Sequence, residues 1–408
     1  MYEWDFYDNL PNYHPIADAN NLSDGFYAAR KGSHWKAQIQ RFRWNELSEI
    51  RKLQIELDNY ANDRPDSYEL SKYSEFTVNE RGKVRAITAL QGRDRTVKHV
   101  LNDRYLVPHI RPHLIYDNGA SLKGKGIDFT RGRLIAHLEK YYKEHESNQG
   151  YIMLMDFSGY YDNMDHGVAM QMVRKYEPDL FARKLVKQAY DSYRIDVSYM
   201  SDEEYRSIQN KKFSVVEYRK ANHPKSGERY LNRSMSVGDQ TSQITAIAYA
   251  TPIDKLVTIV NEQHYYARYM DDSYVIAETK QELLELRSQI EEMAKQLHLF
   301  LNPKKVHICR LDRTFTFLKF KYYLTAQGHV VVRINPKTVT RMRRKLKRLA
   351  VRVKDGKTRQ EKVDEMFRSW IANYKKYMSK KQITNMVNLY RALFGGGLDQ
   401  WMKAHAIM

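Results

Sequence analysis

Carboxylates stand at two places in this sequence where an acidic side chain is costly. Asp156 ends the apolar run YIMLMD, and Asp271 and Asp272 lie at the centre of the segment HYYARYMDDSYVIA. Because a carboxylate that closes a buried strand loses part of its hydration, it needs a cation or a hydrogen-bond donor nearby. Either segment alone is explained as well by turn or capping chemistry, in which Asp is common.

The two segments together predict a metal site. Two strand ends that present carboxylates side by side supply the hard oxygen ligands that Mg²⁺ prefers. Such a site could hold two ions about 4 Å apart, which activate a hydroxyl nucleophile and stabilise a departing phosphate.

The spacing of apolar residues predicts an α+β fold around these acids. A buried strand at 151–157 and a strand pair at 264–277 would carry them, and a β-hairpin at 76–90 would turn at Arg81 and Gly82. Helical spacing is found at 47–57, 94–107, 134–142, from His166, at 241–260 and at 280–298, and further strand-like runs are 305–309 and 315–324.

The composition predicts a folded protein with a polyanionic partner. Hydrophobic residues make up 42% of the 408 residues, which is enough for a sizeable core. Lys and Arg number 68 against 49 Asp and Glu, and the net charge of +19 favours a phosphate-rich partner. A lone cysteine, Cys309, excludes an internal disulfide and a multi-cysteine zinc site. Because no run of about 18 apolar residues and no signal-like amino terminus is visible, we expect a cytoplasmic protein without a membrane partner.

A basic amphipathic helix is predicted near the carboxy terminus. Between Lys337 and Lys362 there are twelve Lys or Arg residues and two acids. The apolar residues at helical spacing are Val339, Met342, Leu346, Leu349 and Val353, and the cations of another face are Arg341, Lys345, Arg348 and Arg352. The apolar face can pack while the basic face binds a phosphate backbone; the alternative is a solvated basic helix.

The segments around the acids resemble the palm motifs of reverse transcriptases. Tyr269-Met270-Asp271-Asp272 resembles the metal-binding hairpin of that family, and DFSGYYDN, which begins at Asp156, resembles its first palm motif. The resemblance implies that Asp156, the backbone carbonyl of Phe157, Asp271 and Asp272 ligate the metal ions. It also implies that Tyr161 is the aromatic residue that senses the ribose and favours deoxynucleotides.

Further palm motifs follow in the expected order. SVGDQTSQ resembles the second motif, G-x-x-x-S, which implies a dNTP-binding role for Gly238, Ser242 and Gln243. Many members of the family have Gln where Val237 stands and Pro where Gln243 stands. This variant resembles the diversity-generating-retroelement branch and defence-associated bacterial branches of unknown group.

The next two segments resemble the fourth motif and the primer grip. In LNPKKVHI a lysine would protonate the departing pyrophosphate; Lys305 is the better register match and Lys304 the alternative. FLKFKYYL resembles the primer grip, with Lys319 in place of the usual Gly.

Segments before the palm resemble the fingers. In GKVRAITALQGRDRTVKHVL, Lys83 and Arg85 would hold the triphosphate of a dNTP by charge-assisted bonds, and Arg95 would be structural or face the template. ASLKGKGIDFTRGR resembles a motif of bacterial branches, which implies that Lys123 and Lys125 contact the template backbone.

The resemblance covers roughly 76–325 and implies a right-hand polymerase fold. We expect an N-terminal extension with fingers at 1–75, fingers at 76–150, a palm of antiparallel sheet and helices at 151–330, and a basic helical thumb at 331–408. A fingers-like insertion near 175–235 would interrupt the palm.

The implied activity is RNA-directed DNA synthesis by two-metal nucleotidyl transfer. Two Mg²⁺ ions, with Mn²⁺ as a substitute, would serve as cofactors, and an RNA template, a DNA primer and dNTPs would be the partners. We expect a dedicated, structured non-coding RNA as the template and a role in bacterial anti-phage defence, with diversification of genes as the alternative role. A companion protein or a homo-oligomer is left open.

Two other classes of function compete with this one. A protein-primed or template-independent DNA polymerase would use an exposed Tyr or Ser as its primer, and the 31 tyrosines permit that. An RNA-binding scaffold with a degenerate palm is the non-enzymatic alternative. The three intact carboxylates and Tyr161 argue against the scaffold.

Overall fold

A computed structural model of the chain describes residues 13–80 and 82–407, and its fold mixes helices with antiparallel strands, as predicted. Before residue 150 the elements are α1 (Ala19–Arg30), α2 (Ala37–Trp44), α3 (Glu46–Ala61), β1 (Ser74–Glu80), β2 (Lys83–Ala89), α4 (Gly92–Leu101), α5 (Val107–Ile110) and α6 (Ile127–His145). From 151 to 260 they are β3 (Tyr151–Met155), α7 (Tyr160–Asn163), α8 (His166–Tyr176), α9 (Leu180–Tyr193), β4 (Ile195–Asp196), α10 (Asp202–Gln209), α11 (Val215–Ala221), β5 (Tyr230–Leu231), α12 (Gln240–Tyr249) and α13 (Thr251–Lys255).

The remaining elements are β6 (Tyr266–Tyr269), β7 (Asp272–Ala277), α14 (Lys280–Gln296), β8 (His307–Arg310), β9 (Phe315–Phe317), β10 (Phe320–Leu324), β11 (Val330–Ile334), α15 (Pro336–Lys354), α16 (Gln360–Tyr374), α17 (Lys380–Phe394) and α18 (Asp399–Ala404). The described strands form sheets of order β6–β7–β3–β8, β11–β10–β9, β1–β2 and β4–β5. No helix of the described residues is long and apolar enough to cross a membrane.

The chain divides into two compact units. The first extends to Thr130 and includes Met155–Tyr274 and Leu284–Val306. The second comprises Arg131–Leu154, Val275–Leu283 and the chain from His307 onward. These two units do not correspond to the four predicted segments, and the boundaries of those segments stay a prediction.

In the first unit, the predicted fingers hairpin is formed by β1 and β2. The strands pair antiparallel, with Val78 opposite Arg85 and Glu80 opposite Lys83. Gly82 has φ 87°, a conformation that glycine adopts without strain, whereas Arg81 lies outside the described residues. The side chains of Lys83 and Arg85 therefore share one face of β2, because residues two apart in a strand point the same way.

The N-terminal extension contains more helix than the sequence predicted. The predicted helix at 47–57 is α3, but α1 and α2 were missed. In α2 only Ile39 and Phe42 are buried, and in α1 two of the four buried positions are the small residues Gly25 and Ala29, which add little to an apolar pattern. The ring of Phe42 stacks on that of Phe26 in α1 at a centroid distance of 4.3 Å, and α1 packs against α4.

The predicted insertion has its own small core. Ile195, Val197, Phe213, Val215 and Leu231 bury one another between β4, α11 and β5. The sequence of this region is charged and poorly patterned because a core of five residues leaves most of the segment exposed.

The second unit contains the predicted basic helix as α15. Met342 and Leu346 are buried against α16 and α17, and Val339, Leu349 and Val353 pack beside them, which confirms the predicted apolar face. Arg341, Lys345, Arg348 and Arg352 are all exposed.

The primer-grip-like segment in this unit forms β9 and β10. At the turn between them Leu318 and Lys319 both have positive φ, 42° and 74°. The turn therefore holds Lys319 in the left-handed conformation that the usual glycine adopts without strain.

Candidate active site

The turn between β6 and β7 carries the acidic pair. Met270 has φ 57° there, a left-handed conformation that costs a residue with a Cβ of the order of 1–2 kcal/mol. Asp271 and Asp272 follow it, both partly buried. Strain of this kind persists only where surrounding contacts impose it.

The contacts that impose this turn come from a buried ion pair. Arg268 and Asp254 are both fully buried, and the Arg268 Nη2 atom lies 2.6 Å from Asp254 Oδ2. Arg268 Nε donates to Asp254 Oδ1 at 2.7 Å, and Tyr266 Oη donates to the same oxygen at 2.7 Å. Arg268 Nη1 also donates to the carbonyl oxygen of Met270 at 3.2 Å. The guanidinium group thus holds the backbone of the turn directly.

Asp156 follows β3 and is held by the segment that precedes β8. The backbone N–H of Asn302 donates to the Asp156 carbonyl at 2.8 Å, and the Ser158 N–H donates to the Phe300 carbonyl at 2.7 Å. These two bonds flank Phe157 and leave its own carbonyl oxygen out of the pairing. The Asp156 carboxylate, 5% exposed, accepts from Asn302 Nδ2 at 3.3 Å and from Lys305 Nζ at 2.5 Å.

The three carboxyl groups interact strongly. Burial, and then the charges of Asp271 and Asp156, raise the pKa of Asp272 to about 7. Burial and the charge of Asp156 likewise raise the pKa of Asp271. Burial alone would lower the pKa of Lys305, but the Asp156 carboxylate outweighs it and the pKa is raised. The site therefore carries excess negative charge, which the ammonium groups of Lys305 and Lys83 oppose only in part.

This donor set fits divalent cations, although it is not preassembled around one. No group of three His, Cys, Asp or Glu side chains within 13–80 and 82–407 is already arranged to hold a metal ion. The predicted metal cluster is therefore not present as such, because without cations the carboxylates repel one another and Asp156 pairs with Lys305. A divalent cation prefers carboxylate oxygens as ligands, and its charge would relieve the repulsion between these three ionised carboxylates.

The predicted ribose-sensing residue lies directly beside the acidic turn. Tyr161 is in the short helix α7, and its hydroxyl lies 4.0 Å from the sulfur of Met270. Its carbonyl accepts from the N–H of Met235 at 2.9 Å. Burial and the charge of Asp271 raise its pKa, so the hydroxyl stays protonated.

The fingers hairpin brings its cations toward the same place. Lys83 is close enough to Asp271 to lower the pKa of that carboxyl, and Arg85 acts in the same way on Tyr161. The Arg85 guanidinium also pairs with Glu80 at 3.2 Å. Arg95, in contrast, donates to the Ala29 carbonyl and the Ser33 hydroxyl, so of its two predicted roles the structure supports the structural one.

The small insertion braces the hairpin and the turn that carries Tyr161. Asn163 exchanges hydrogen bonds with the backbone of Phe213, accepting at 2.7 Å and donating at 3.2 Å. Asp162 accepts from the N–H of Val215 at the start of α11. From the same helix Arg219 donates to the Ile87 carbonyl of β2 at 3.3 Å and pairs with Glu75 of β1 at 2.9 Å.

The second palm motif forms the start of α12. Gly238 has φ 112°, and no heavy atom lies within 4 Å of a Cβ placed on it, so the backbone there is open. Gln243 is partly buried. Ser242 is fully buried, and both its N–H and its hydroxyl lie 3.4 Å from the carboxylate of Asp239, the N-cap. Ser242 is therefore held by the N-cap of α12, and its contact with a nucleotide stays a prediction.

Some of the cations predicted to contact nucleic acid are exposed, and one of them is bonded to other groups of the protein. Lys123 is exposed. Lys125 donates to the Tyr116 carbonyl and lies 5.0 Å from the ring centroids of Tyr116 and Phe129, so its ammonium group is used within the protein. None of the Lys and Arg residues of α15 forms an ion pair with a described residue.

Sequence reasoning missed the groups that position the site. Asp254 and Arg268 are 14 residues apart in different elements, and nothing in their local spacing marks them as partners. Asn302 and Asp239 were missed for the same reason. The one available signal was that Arg268 stands between apolar residues of a predicted strand, where an unpaired cation would be costly.

Comparisons with known proteins identify the family. The family model described as reverse transcriptase (RNA-dependent DNA polymerase) matches residues 72–322. No curated protein matches the chain in sequence.

Among solved structures, telomerase from Candida albicans in complex with a fragment of telomeric RNA is 11% identical, with a TM-score of 0.42, and the match covers 66% of this chain and 46% of that chain. Apo telomerase from Candida tropicalis, truncated from its C-terminal domain, is 13% identical, with a TM-score of 0.41 over 70% of this chain and 59% of that one. A further structure of apo telomerase from Candida tropicalis gives 13% identity and a TM-score of 0.41 over 70% and 52%. The chain thus spans about half the length of these telomerase chains.

Removing the buried guanidinium should strongly destabilise the protein. Arg268→Met leaves Asp254 buried without its cation, and we expect the free energy of unfolding to fall by about 3–5 kcal/mol. The double variant Arg268→Met/Asp254→Leu removes both charges and should recover part of that loss. Urea unfolding followed by circular dichroism measures both. Arg287→Met, which breaks only the exposed pair with Glu291, should change stability by less than about 1 kcal/mol. A loss for Arg268→Met no larger than that of this control would contradict the anchoring role.

The raised pKa of Asp272 predicts a pH-dependent stability in metal chelator. Between its ordinary value of 3.8 and about 7, the folded state binds a proton that the unfolded state has released, so stability falls as pH rises through that window. Asp272→Asn removes this loss. The difference in free energy of unfolding between the variant and wild type should therefore be about 1–2 kcal/mol more favourable to the variant at pH 8 than at pH 5. Denaturant titrations at both pH values, with the exposed Asp202→Asn as control, measure it. Equal pH dependence in wild type and Asp272→Asn would refute the carboxyl coupling.

Proposed function

The chain belongs to the reverse transcriptase family, and on that premise we propose that it is an RNA-directed DNA polymerase that copies a dedicated, structured non-coding RNA into cDNA. The observation that carries the proposal is the placement of Asp271 and Asp272 on one partly buried turn, with Asp156 close enough to raise the pKa of both and Tyr161 against the same turn. All four residues lie in one compact unit and within the region that the family model matches.

We assign the metal-binding role to the three carboxylates and the free carbonyl of Phe157. Two Mg²⁺ ions, or Mn²⁺ in their place, would activate the primer 3′-hydroxyl and stabilise the departing pyrophosphate. The chain itself orients these oxygens: Asn302 fixes Asp156 through two hydrogen bonds, and Arg268 fixes the turn of the other two.

Lys305 is suited to serve as the general acid. Its raised pKa keeps the ammonium protonated at neutral pH, so Nζ carries a proton that can pass to the leaving pyrophosphate. The competing residue, Lys304, has an exposed side chain, and only its backbone N–H is bonded, to Asn302 Oδ1 at 3.2 Å.

The nucleotide would be held from three sides. Lys83 and Arg85 present positive charge toward the triphosphate, and Arg219 with α11 keeps their hairpin in place. The ring of Tyr161 would occupy the space of a ribonucleotide 2′-hydroxyl. The open backbone at Gly238 and the side chain of Gln243 would approach the base pair.

The RNA template and the DNA product would contact the exposed cations. We assign this role to Lys123 and to the basic face of α15, formed by Arg341, Lys345, Arg348 and Arg352. Lys125 would contribute indirectly, by holding the loop that presents Lys123.

We further propose a role in bacterial anti-phage defence. Val237 and Gln243 support a defence or diversifying branch, and the helical N-terminal region favours defence because a minimal diversifying enzyme needs less. A diversity-generating role is the alternative, and a cytoplasmic location, a companion protein and a homo-oligomer stay predictions from the sequence.

Primer extension on a defined RNA template tests the activity. Purified protein with Mg²⁺, dNTPs and a DNA primer annealed to RNA should extend the primer, and Asp271→Asn should reduce the rate by about a thousand-fold or more. Asp202→Asn, which changes an exposed carboxylate of the same compact unit, serves as the matched control. Extension that persists in Asp271→Asn would overturn the assignment, DNA attached covalently to the protein would favour protein priming, and no extension by wild type would favour the scaffold.

Substitution of Tyr161 tests the sugar discrimination. Tyr161→Ala opens the space beside the ribose, and we expect the preference for dNTPs over rNTPs to fall by about ten-fold or more, whereas Tyr161→Phe keeps the ring and the preference. Single-nucleotide incorporation measures kcat/KM for both nucleotides. An unchanged preference in Tyr161→Ala would reject the assignment.

A further inference from the structure

The N-terminal extension has an outer surface that the polymerase reaction does not explain. Three aromatic side chains of α1, α2 and the segment between them are exposed: Tyr27 to 57%, Trp35 to 67% and Trp44 to 78%. Exposing two tryptophans and a tyrosine to water is unfavourable, and exposed apolar surface of this kind marks binding sites. Tyr27 and Trp44 line one open cavity of about 560 Å³, within the size range of ligand sites.

The charge of this surface identifies the class of partner. From Tyr27 to Asn45 the chain contains no acidic residue, and Arg30, Lys31 and Arg43 line the same cavity. The guanidinium of Arg30 lies 4.5 Å from the ring centroid of Tyr27. None of these three cations forms an ion pair with a residue of 13–80 or 82–407.

The surface is rigid on its inner side. Arg95 of α4 donates to the Ala29 carbonyl and to the hydroxyl of Ser33, which fixes the turn that carries Arg30 and Lys31. Gln38 accepts from the N–H of Gly92, and Ile39 is buried. Because α4 holds the backbone, a ligand has to order the exposed side chains but not the segment that carries them.

We propose that this aromatic–basic surface binds an unpaired stretch of the RNA that the enzyme copies. That this RNA is the template rests on the proposed function. Bases stack on Tyr27 and Trp44, and Arg30, Lys31 and Arg43 neutralise the phosphates between them. Stacking on aromatic rings tolerates any base, so the surface anchors single-stranded RNA without reading its sequence. It shares no residue with the carboxylate site or with the basic face of α15.

Binding of single-stranded RNA in the absence of catalysis tests the proposal. The probe is a fluorescein-labelled 20-nucleotide oligouridine, which is titrated with the full chain in EDTA and without dNTPs. Unlabelled RNA–DNA primer duplex is added in excess to occupy the proposed catalytic site. Tyr27→Ala/Trp44→Ala should raise Kd by about ten-fold or more, whereas Tyr27→Phe/Trp44→Phe should stay within about three-fold. Leu47→Ala, which changes an 87% exposed side chain outside the cavity, is the matched control.

Two further measurements assign the effect to this surface. Lys31→Gln/Arg43→Gln should lower the slope of log Kd against log salt by about 0.7 for each cation removed. Photo-cross-linking of 4-thiouridine RNA should label peptides that contain Tyr27 or Trp44. Circular dichroism confirms that each variant is folded.

An unchanged Kd in Tyr27→Ala/Trp44→Ala, or cross-links confined to other segments, would overturn the proposal. The same holds if the substitutions alter only the oligomeric state, which would make the surface a protein interface. Because the assay contains no dNTPs or Mg²⁺, failure of the polymerase assignment would appear separately, as a wild-type protein that binds oligouridine and does not extend a primer.

Discussion

The buried ion pair of Arg268 and Asp254 is the interaction on which the proposed active site depends. Two ionised groups without exposure are tolerated only when every polar atom has a partner, and here the guanidinium bonds Asp254 twice and two backbone carbonyls once each. One of those carbonyls belongs to Met270 in the acidic turn, and the other to Ile247 in α12. Because these hydrogen bonds can all form only when the turn has its present backbone conformation, they hold Met270 in the left-handed region. Met270 in turn sets the direction of Asp271 and Asp272.

This anchoring matters because the carboxylates oppose the arrangement they are placed in. Asp156 and Asp271 raise the pKa of Asp272, Asp156 also raises that of Asp271, and Lys305 offsets only part of this repulsion. A site that is destabilised in the absence of cations binds them more strongly, since cations remove the repulsion as well as forming bonds. The fold therefore stores unfavourable electrostatic energy at its functional centre and holds it there with stabilising contacts at Arg268 and Asn302.

Much of this could be predicted from the sequence wherever the signal was local. The hairpin β1–β2, the start of α8 at His166, the amphipathic α14 and the apolar face of α15 follow from periodicity, and the acids were found because carboxylates interrupt apolar runs. The small core of the insertion and the helix α2 were missed because too few of their residues are buried to set a period. The helix α1 was missed because two of its four buried positions are the small residues Gly25 and Ala29. Asp254 as the partner of Arg268, the cap that buries Ser242 and the engagement of Lys125 could not be predicted either. Each is a pairing between elements, which local spacing does not encode.

The measurement that tests the account most directly is the number of divalent cations bound at the carboxylates. Mn²⁺ can be counted by electron paramagnetic resonance on the protein with an RNA template, a dideoxy-terminated DNA primer and the next dNTP, so that no turnover occurs. A two-metal centre at these carboxylates should bind two Mn²⁺ per wild-type protein and lose both in Asp156→Asn/Asp271→Asn. Equal Mn²⁺ binding by wild type and this variant would contradict a metal-dependent centre at these residues.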